Sequence, residues 1–124
     1  MSRHYAATIG WRPKTSEYSQ NSRAHWATAL ARKDRLRNAV QVALLVDNWP
    51  TALAAGQLYT VTFTVSCRRG PLPDSDNLAA CLKTARDTVA KFLGVDDSPS
   101  APITWRYVAL RGPDGVLIEL DEPH

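Results

Sequence analysis

No charge-free apolar stretch of this chain approaches the ~20 residues that a bilayer-spanning helix needs, so a membrane is not an expected partner. The opening Met1-Ser2-Arg3-His4-Tyr5 lacks the basic and apolar blocks of a secretory leader, and a cytoplasmic location is expected. Cysteine is scarce. Cys67 and Cys81 are the only two, which permits one disulfide at most and no Cys-x-x-Cys zinc site. Two buried, reduced thiols are the expectation. The three histidines, His4, His25 and His124, give no credible Ser/His/Asp hydrolase arrangement. A glycine-rich phosphate loop is missing as well.

What remains is ordinary globular material. The chain has 124 residues, 44% of them hydrophobic and 22% charged, enough for one core and one domain spanning 1–124. Its charge is uneven: residues 1–70 carry a net +7 and residues 71–124 a net −4. A basic half beside an acidic half suits an enzyme that grips a polyanion with one region and a metal with the other.

The first residues through Ile9 are weakly strand-like, and Trp11-Arg12-Pro13-Lys14 through Ser22 read as a loop. Residues 23–47 contain no Gly or Pro, and Leu36, Ala39, Val40 and Ala43 recur at helical spacing. Trp49-Pro50 is expected to end that helix. Tyr59, Val61, Phe63, Val65 and Cys67 alternate with Thr and Ser, the pattern of a strand with one apolar face. A loop, Arg68 to Pro73, leads to a second helix over Asn77–Leu93 with an apolar stripe at Leu78, Leu82, Ala85, Val89 and Phe92. Gly94 is its expected stop. Ile103, Trp105 and Tyr107 mark a third strand, and Val116, Ile118 and Leu120 a fourth. Gly112-Pro113-Asp114-Gly115 between them reads as a hairpin turn. The order is β-α-β-α-β-β: an α+β domain with two helices packed on a mixed sheet.

Asp74, Asp76, Asp96 and Asp97 carry the chemical information. Asp74 and Asp76 sit at a strand-to-helix loop and Asp96-Asp97 at the turn after that helix. An Asp in front of a helix is an ordinary N-cap, and an Asp-Asp turn is ordinarily solvated. The other reading is a metal site. Closely spaced carboxylates repel unless a cation neutralises them. A set of oxygen ligands suits magnesium or manganese rather than zinc. A calcium EF-hand starting at Asp74 fails, because Ala79 and Ala85 stand where Gly and Glu are needed.

Asp74-Ser75-Asp76-Asn77-Leu78 before a helix, with Gly94-Val95-Asp96-Asp97-Ser98 beyond it, resembles the RusA family of Holliday junction resolvases. The early Trp11-Arg12-Pro13 loop, Tyr18 and the basic first helix fall where that family has theirs, so the resemblance covers nearly the whole chain. It implies a magnesium-dependent endonuclease acting on branched DNA as a homodimer. Asp74, Asp76 and Asp97 match the family's essential carboxylates, with Asp96 beside them. The family's lysine four residues after the second Asp is replaced here by Ala80. Lys83, which keeps a four-residue spacing to Asp87, either takes over that role after an inserted turn or simply pairs with Asp87; in the second case the lysine function is lost.

A helix of about 17 residues is ~25 Å long, so its two ends cannot reach one ion within a chain. An antiparallel pair of such helices in a two-fold dimer would join Asp74 and Asp76 of one copy to Asp97 of the other. Phosphate contacts are expected from Arg68 and Arg69, and next from Arg12, Lys14 and Arg23. Trp11 or Tyr18 is a candidate for stacking on an unpaired base. Arg32, Lys33, Arg35 and Arg37 are expected on a solvated helix face, and Trp26, Trp49 and Trp105 in the core.

Overall fold

The alternation of Tyr59–Cys67 becomes the strand on which the rest is assembled. The computed structural model describes residues 4–18, 26–96 and 101–122. In chain order the elements are β1 (His4–Ile9), a single helical turn α1 (Thr15–Tyr18), α2 (Trp26–Val46), β2 (Tyr59–Cys67), α3 (Ser75–Cys81), α4 (Lys83–Phe92), β3 (Ile103–Arg111) and β4 (Gly115–Asp121). The four strands form one mixed sheet in the order β1-β4-β2-β3. β2 runs parallel to β3 and antiparallel to β4, and β4 runs antiparallel to β1. The α+β class and the element order are as the sequence predicts, and no helix among the described residues is long and apolar enough to cross a membrane.

The period of two along β2 sends Tyr59, Val61, Phe63, Val65 and Cys67 into the core and leaves the intervening Thr and Ser half-buried. Phe63 is fully buried, and its ring stacks on Tyr107 of β3 at 5.6 Å between centroids. Truncating a buried Phe costs about 3–5 kcal/mol, so this residue anchors the sheet to its helical cover. That cover comes from Leu36, Val40 and Leu44 of α2, Leu78 of α3, and Ala85 and Val89 of α4, with Leu82 between α3 and α4. Both cysteines are buried free thiols. Cys81 donates to the Pro13 carbonyl at 3.4 Å, and burial pushes its thiol up to about 12.

Three expectations are corrected, while the two helix ends agree with the sequence and show how they are capped. α2 ends ahead of Trp49-Pro50, as expected. The helix stops at Val46, and Asn48 takes a left-handed backbone (φ 54°) while its N–H bonds Leu45 O and the Trp49 N–H bonds Leu44 O. Those two bonds satisfy carbonyls that a helix end otherwise leaves open. Gly94 (φ 73°) does the same after α4, where its N–H bonds Lys91 O and the Val95 N–H bonds Ala90 O.

The second long helix is not one rod. It breaks at Leu82 (φ −99°, ψ 13°) into α3 and α4. No Gly or Pro causes this; the break falls where Cys81 turns to the Pro13 carbonyl while its neighbour Leu82 fills the core. Nor is the Gly112–Gly115 turn a hairpin. β3 and β4 do not pair with each other but flank β2, and the Gly112 N–H reaches Cys67 O at the end of β2. Last, Trp26 is 72% exposed, whereas Trp49 is buried and Trp105 packs against the core.

Candidate functional site

The β2–α3–α4–β3 crossover fixes where the acids fall. In a parallel βαβ unit the helical segment starts at the carboxyl end of the first strand and returns to the amino end of the second. Asp74 follows the loop that leaves β2, and Asp96 precedes β3. The nine residues of β2 lie between those two edges, a separation of about 30 Å at ~3.3 Å per residue. The acids therefore stand at opposite ends of the fold even though the helix between them is broken. Asp97 lies outside the described residues, as does Arg23.

Asp74 is the N-cap of α3: its Oδ1 accepts from the Asn77 N–H at 2.8 Å. The cap reading is thus realised for Asp74, and Oδ2 is left for another partner. Asp76 lies in the first turn of α3, and both carboxylates are exposed. The helix partial charge at that end favours anions. Lys83 opens α4 and reaches Asp87 at 3.3 Å one turn on. Ala80 is half-buried on α3. Among the described residues, no three His, Cys, Asp or Glu side chains come close enough to hold a metal ion. The donors at the start of α3 suit a hard divalent cation in kind, being carboxylate oxygens only, but the described residues of one chain bring too few of them together.

The basic residues behave differently. Arg68 and Arg69 are exposed just past β2. Asp114, in the turn between β3 and β4, accepts from the Arg68 N–H at 2.8 Å and from Arg12 Nε at 3.2 Å. These contacts hold its carboxyl below the usual carboxylate range, led by the Arg68 hydrogen bond, with the nearby charges of Arg12 and Lys14 adding to it. The first and second choices for phosphate contacts, Arg68 and the pair Arg12 and Lys14, are thus gathered around one carboxylate. Arg12 is mostly covered there and spends its charge on Asp114.

One cation in this cluster was not anticipated. Arg111 donates to Cys67 O at 3.2 Å and to Gly70 O at 2.7 Å, and with Arg68 it lines a shallow groove of about 510 Å³. The signal was present in the sequence: Arg69-Gly70-Pro71 and Arg111-Gly112-Pro113 repeat the same tripeptide where two neighbouring parallel strands end. Trp11, by contrast, has little free face for a base. Arg35 lies over its ring at 4.0 Å and Tyr18 packs against it at 6.3 Å. Compared with known proteins, the chain matches no protein-family model and no curated protein.

Proposed function

We propose that this protein is a divalent-metal-dependent endonuclease that cuts branched DNA, of the Holliday junction resolvase type. One observation carries the reading. The acidic first turn of α3 is joined by a short loop to a cluster of cations, Arg68, Arg69 and Arg111, at the carboxyl end of β2. Ligands of α/β units characteristically sit at that end of parallel strands.

In this reading Arg68 and Arg69 hold phosphates beside the scissile bond, and Arg111 keeps their loop in shape through its bonds to Cys67 O and Gly70 O. Asp74 and Asp76 supply the carboxylates for magnesium or manganese. The metal, when bound, lowers the pKa of water and offsets charge on the phosphate. Asp74 accepts the Asn77 N–H on one oxygen, which leaves its second oxygen for the metal. Asp96 and Asp97 belong to the same set only if a second copy brings them to the acids of the first, so the proposal includes a homodimer with shared sites. Location in the cytoplasm is part of the same reading.

A second reading has its own support. Ala80 stands where the resolvase pattern has a lysine, and Lys83 is engaged with Asp87. A branched-DNA-binding protein that has lost cleavage fits those facts. The deciding experiment incubates the chain with a synthetic four-way junction, with and without magnesium, using Asp76→Asn as control. Magnesium-dependent cutting abolished in the variant supports the nuclease. Tight junction binding without cutting supports the second reading, and equal affinity for branched and linear DNA overturns both.

A further inference from the structure

α4 packs against α2, and together with α1 they enclose a groove of about 590 Å³ on the helical side of the molecule. Its walls carry Arg32, Lys33 and Arg37 from α2 and Lys83 and Lys91 from α4. Among the described residues two acids line it, Glu17 and Asp87. Asp87 is taken by Lys83, and Arg37 meets Asp34 at 2.6 Å. Arg32 donates to the main-chain carbonyl of Glu17 at 3.3 Å, which leaves its charge uncancelled. Lys33 and Lys91 are exposed, and neither forms an ion pair among the described residues. Lys33, Arg35 and Arg37 lie on the solvent side of α2, as the sequence suggests, and Arg32 is half-buried; Arg35 covers Trp11, while the other three share the groove with the α4 lysines. They converge across a concavity.

Cations drawn together over a low-dielectric wall repel one another and raise the local potential, so the groove attracts anions. Its capacity lies within the roughly 300–1,000 Å³ of small-ligand sites, which is too little for a duplex. Lys91 stands two turns along α4 from Lys83, itself paired with Asp87, about 12 Å at 1.5 Å per residue, and Arg32 and Lys33 lie on the α2 wall. Charge strung along both walls, rather than focused on one point, suits a linear polyanion better than one compact phosphate. Thr84 and Thr88 line the space between Lys83 and Lys91.

We infer that this groove binds the phosphodiester backbone of a short single-stranded stretch of nucleic acid, separately from the acidic turn of α3. The inference takes only the class of ligand from the nucleic-acid reading above; shape and charge come from the groove itself. The test is binding of a labelled oligothymidylate to the full chain without divalent cations, across a range of salt concentrations. Each phosphate contact on a single strand contributes about 0.7 to the slope of log affinity against log salt.

Lys33→Ala/Lys91→Ala is expected to flatten that slope by about 1.4, at two contacts of ~0.7 each. Lys33→Arg/Lys91→Arg is expected to keep it. Both lysines are exposed, so the fold is not at stake. An unchanged slope in the double alanine variant overturns the inference. So does a mononucleotide that competes as well as the oligomer at equal phosphate concentration, which would mark a site for small phosphates. Junction cleavage is measured alongside. If wild type fails to cut while the slope still responds to the two lysines, the nuclease proposal falls and the groove assignment stands.

Discussion

Arg12 Nε donates to Asp114 Oδ1 at 3.2 Å, joining two loops 102 positions apart in the chain. The same oxygen accepts from the Arg68 N–H. Asp114 therefore clips together the entry loop, the end of β2 and the β3–β4 connection. Its carboxyl titrates below the ordinary carboxylate range, so its contribution to stability is present above the unfolded value and is lost as pH falls through the folded one. Asp114→Ala should lower the melting temperature at pH 7, and the gap to wild type should close when melting is repeated in strong acid. Amide exchange at Arg68 should rise in the variant at neutral pH.

His4 reports on the opposite end of the sheet. Its ring lies 2.5 Å from Asp121 and 3.2 Å from Glu119, both on β4. The hydrogen bond to Asp121, which leads, and the two nearby negative charges raise its pKa above 6.5 despite slight desolvation. A raised value means that the stabilisation is full below the unfolded pKa and fades as pH climbs through the folded one. An NMR titration of the imidazole should place its midpoint above 6.5, and Asp121→Asn should move it back down. A midpoint at or below 6.5 in wild type would contradict the geometry.

The two helix stops offer a matched pair of substitutions. Gly94→Ala forces a side chain into a left-handed backbone, at about 1–2 kcal/mol, and its Cβ would meet Thr51 O at 3.4 Å. Asn48→Gly relieves a similar conformation and should leave stability unchanged or raised. Denaturant unfolding of both variants checks the contrast. Equal losses would mean that neither position depends on its positive φ.

The shared-site proposal has a mixing test. Asp74→Asn and Asp97→Asn are each expected to abolish junction cutting as homodimers. Combined under conditions where subunits exchange, they should recover part of the activity, because half of the heterodimer's sites would then hold intact acids. No recovery in a mixture shown to exchange would rule out sites built from two chains.

Local patterns were readable wherever local physics decides. The alternation in Tyr59–Cys67 became β2, the stripe from Leu78 to Phe92 became the buried side of α3 and α4, and Gly94 ended α4 as its backbone freedom allows. What depended on distant partners was not readable. The Gly112–Gly115 turn has hairpin chemistry, yet β2 lies between the strands it connects, a choice made by pairing across the sheet. α2 is apolar on more than one side, with Val42, Leu45 and Val46 exposed, so its sequence could not say that Trp26 stays outside. Among the site residues, Asp74 and Asp76 share a turn as their spacing dictates. The partnership of Arg12 with Asp114, and the gathering of Arg32, Lys33 and Lys91 around one groove, arise only once the helices and loops are packed.

The place of β4 in the sheet has a consequence for biogenesis. Among the described strands β1 pairs with β4 alone, and β4 also fills one flank of β2, so β1 stays without a neighbour until β4, more than a hundred residues later, is made. Such long-range closure slows folding and prolongs exposure of unpaired edges. A nascent chain stalled before Gly115 could pair β2 with β3 but would leave β1 without a neighbour and one edge of β2 open, so the interval between synthesis of β3 and docking of β4 is when the sheet is most exposed to wrong pairing.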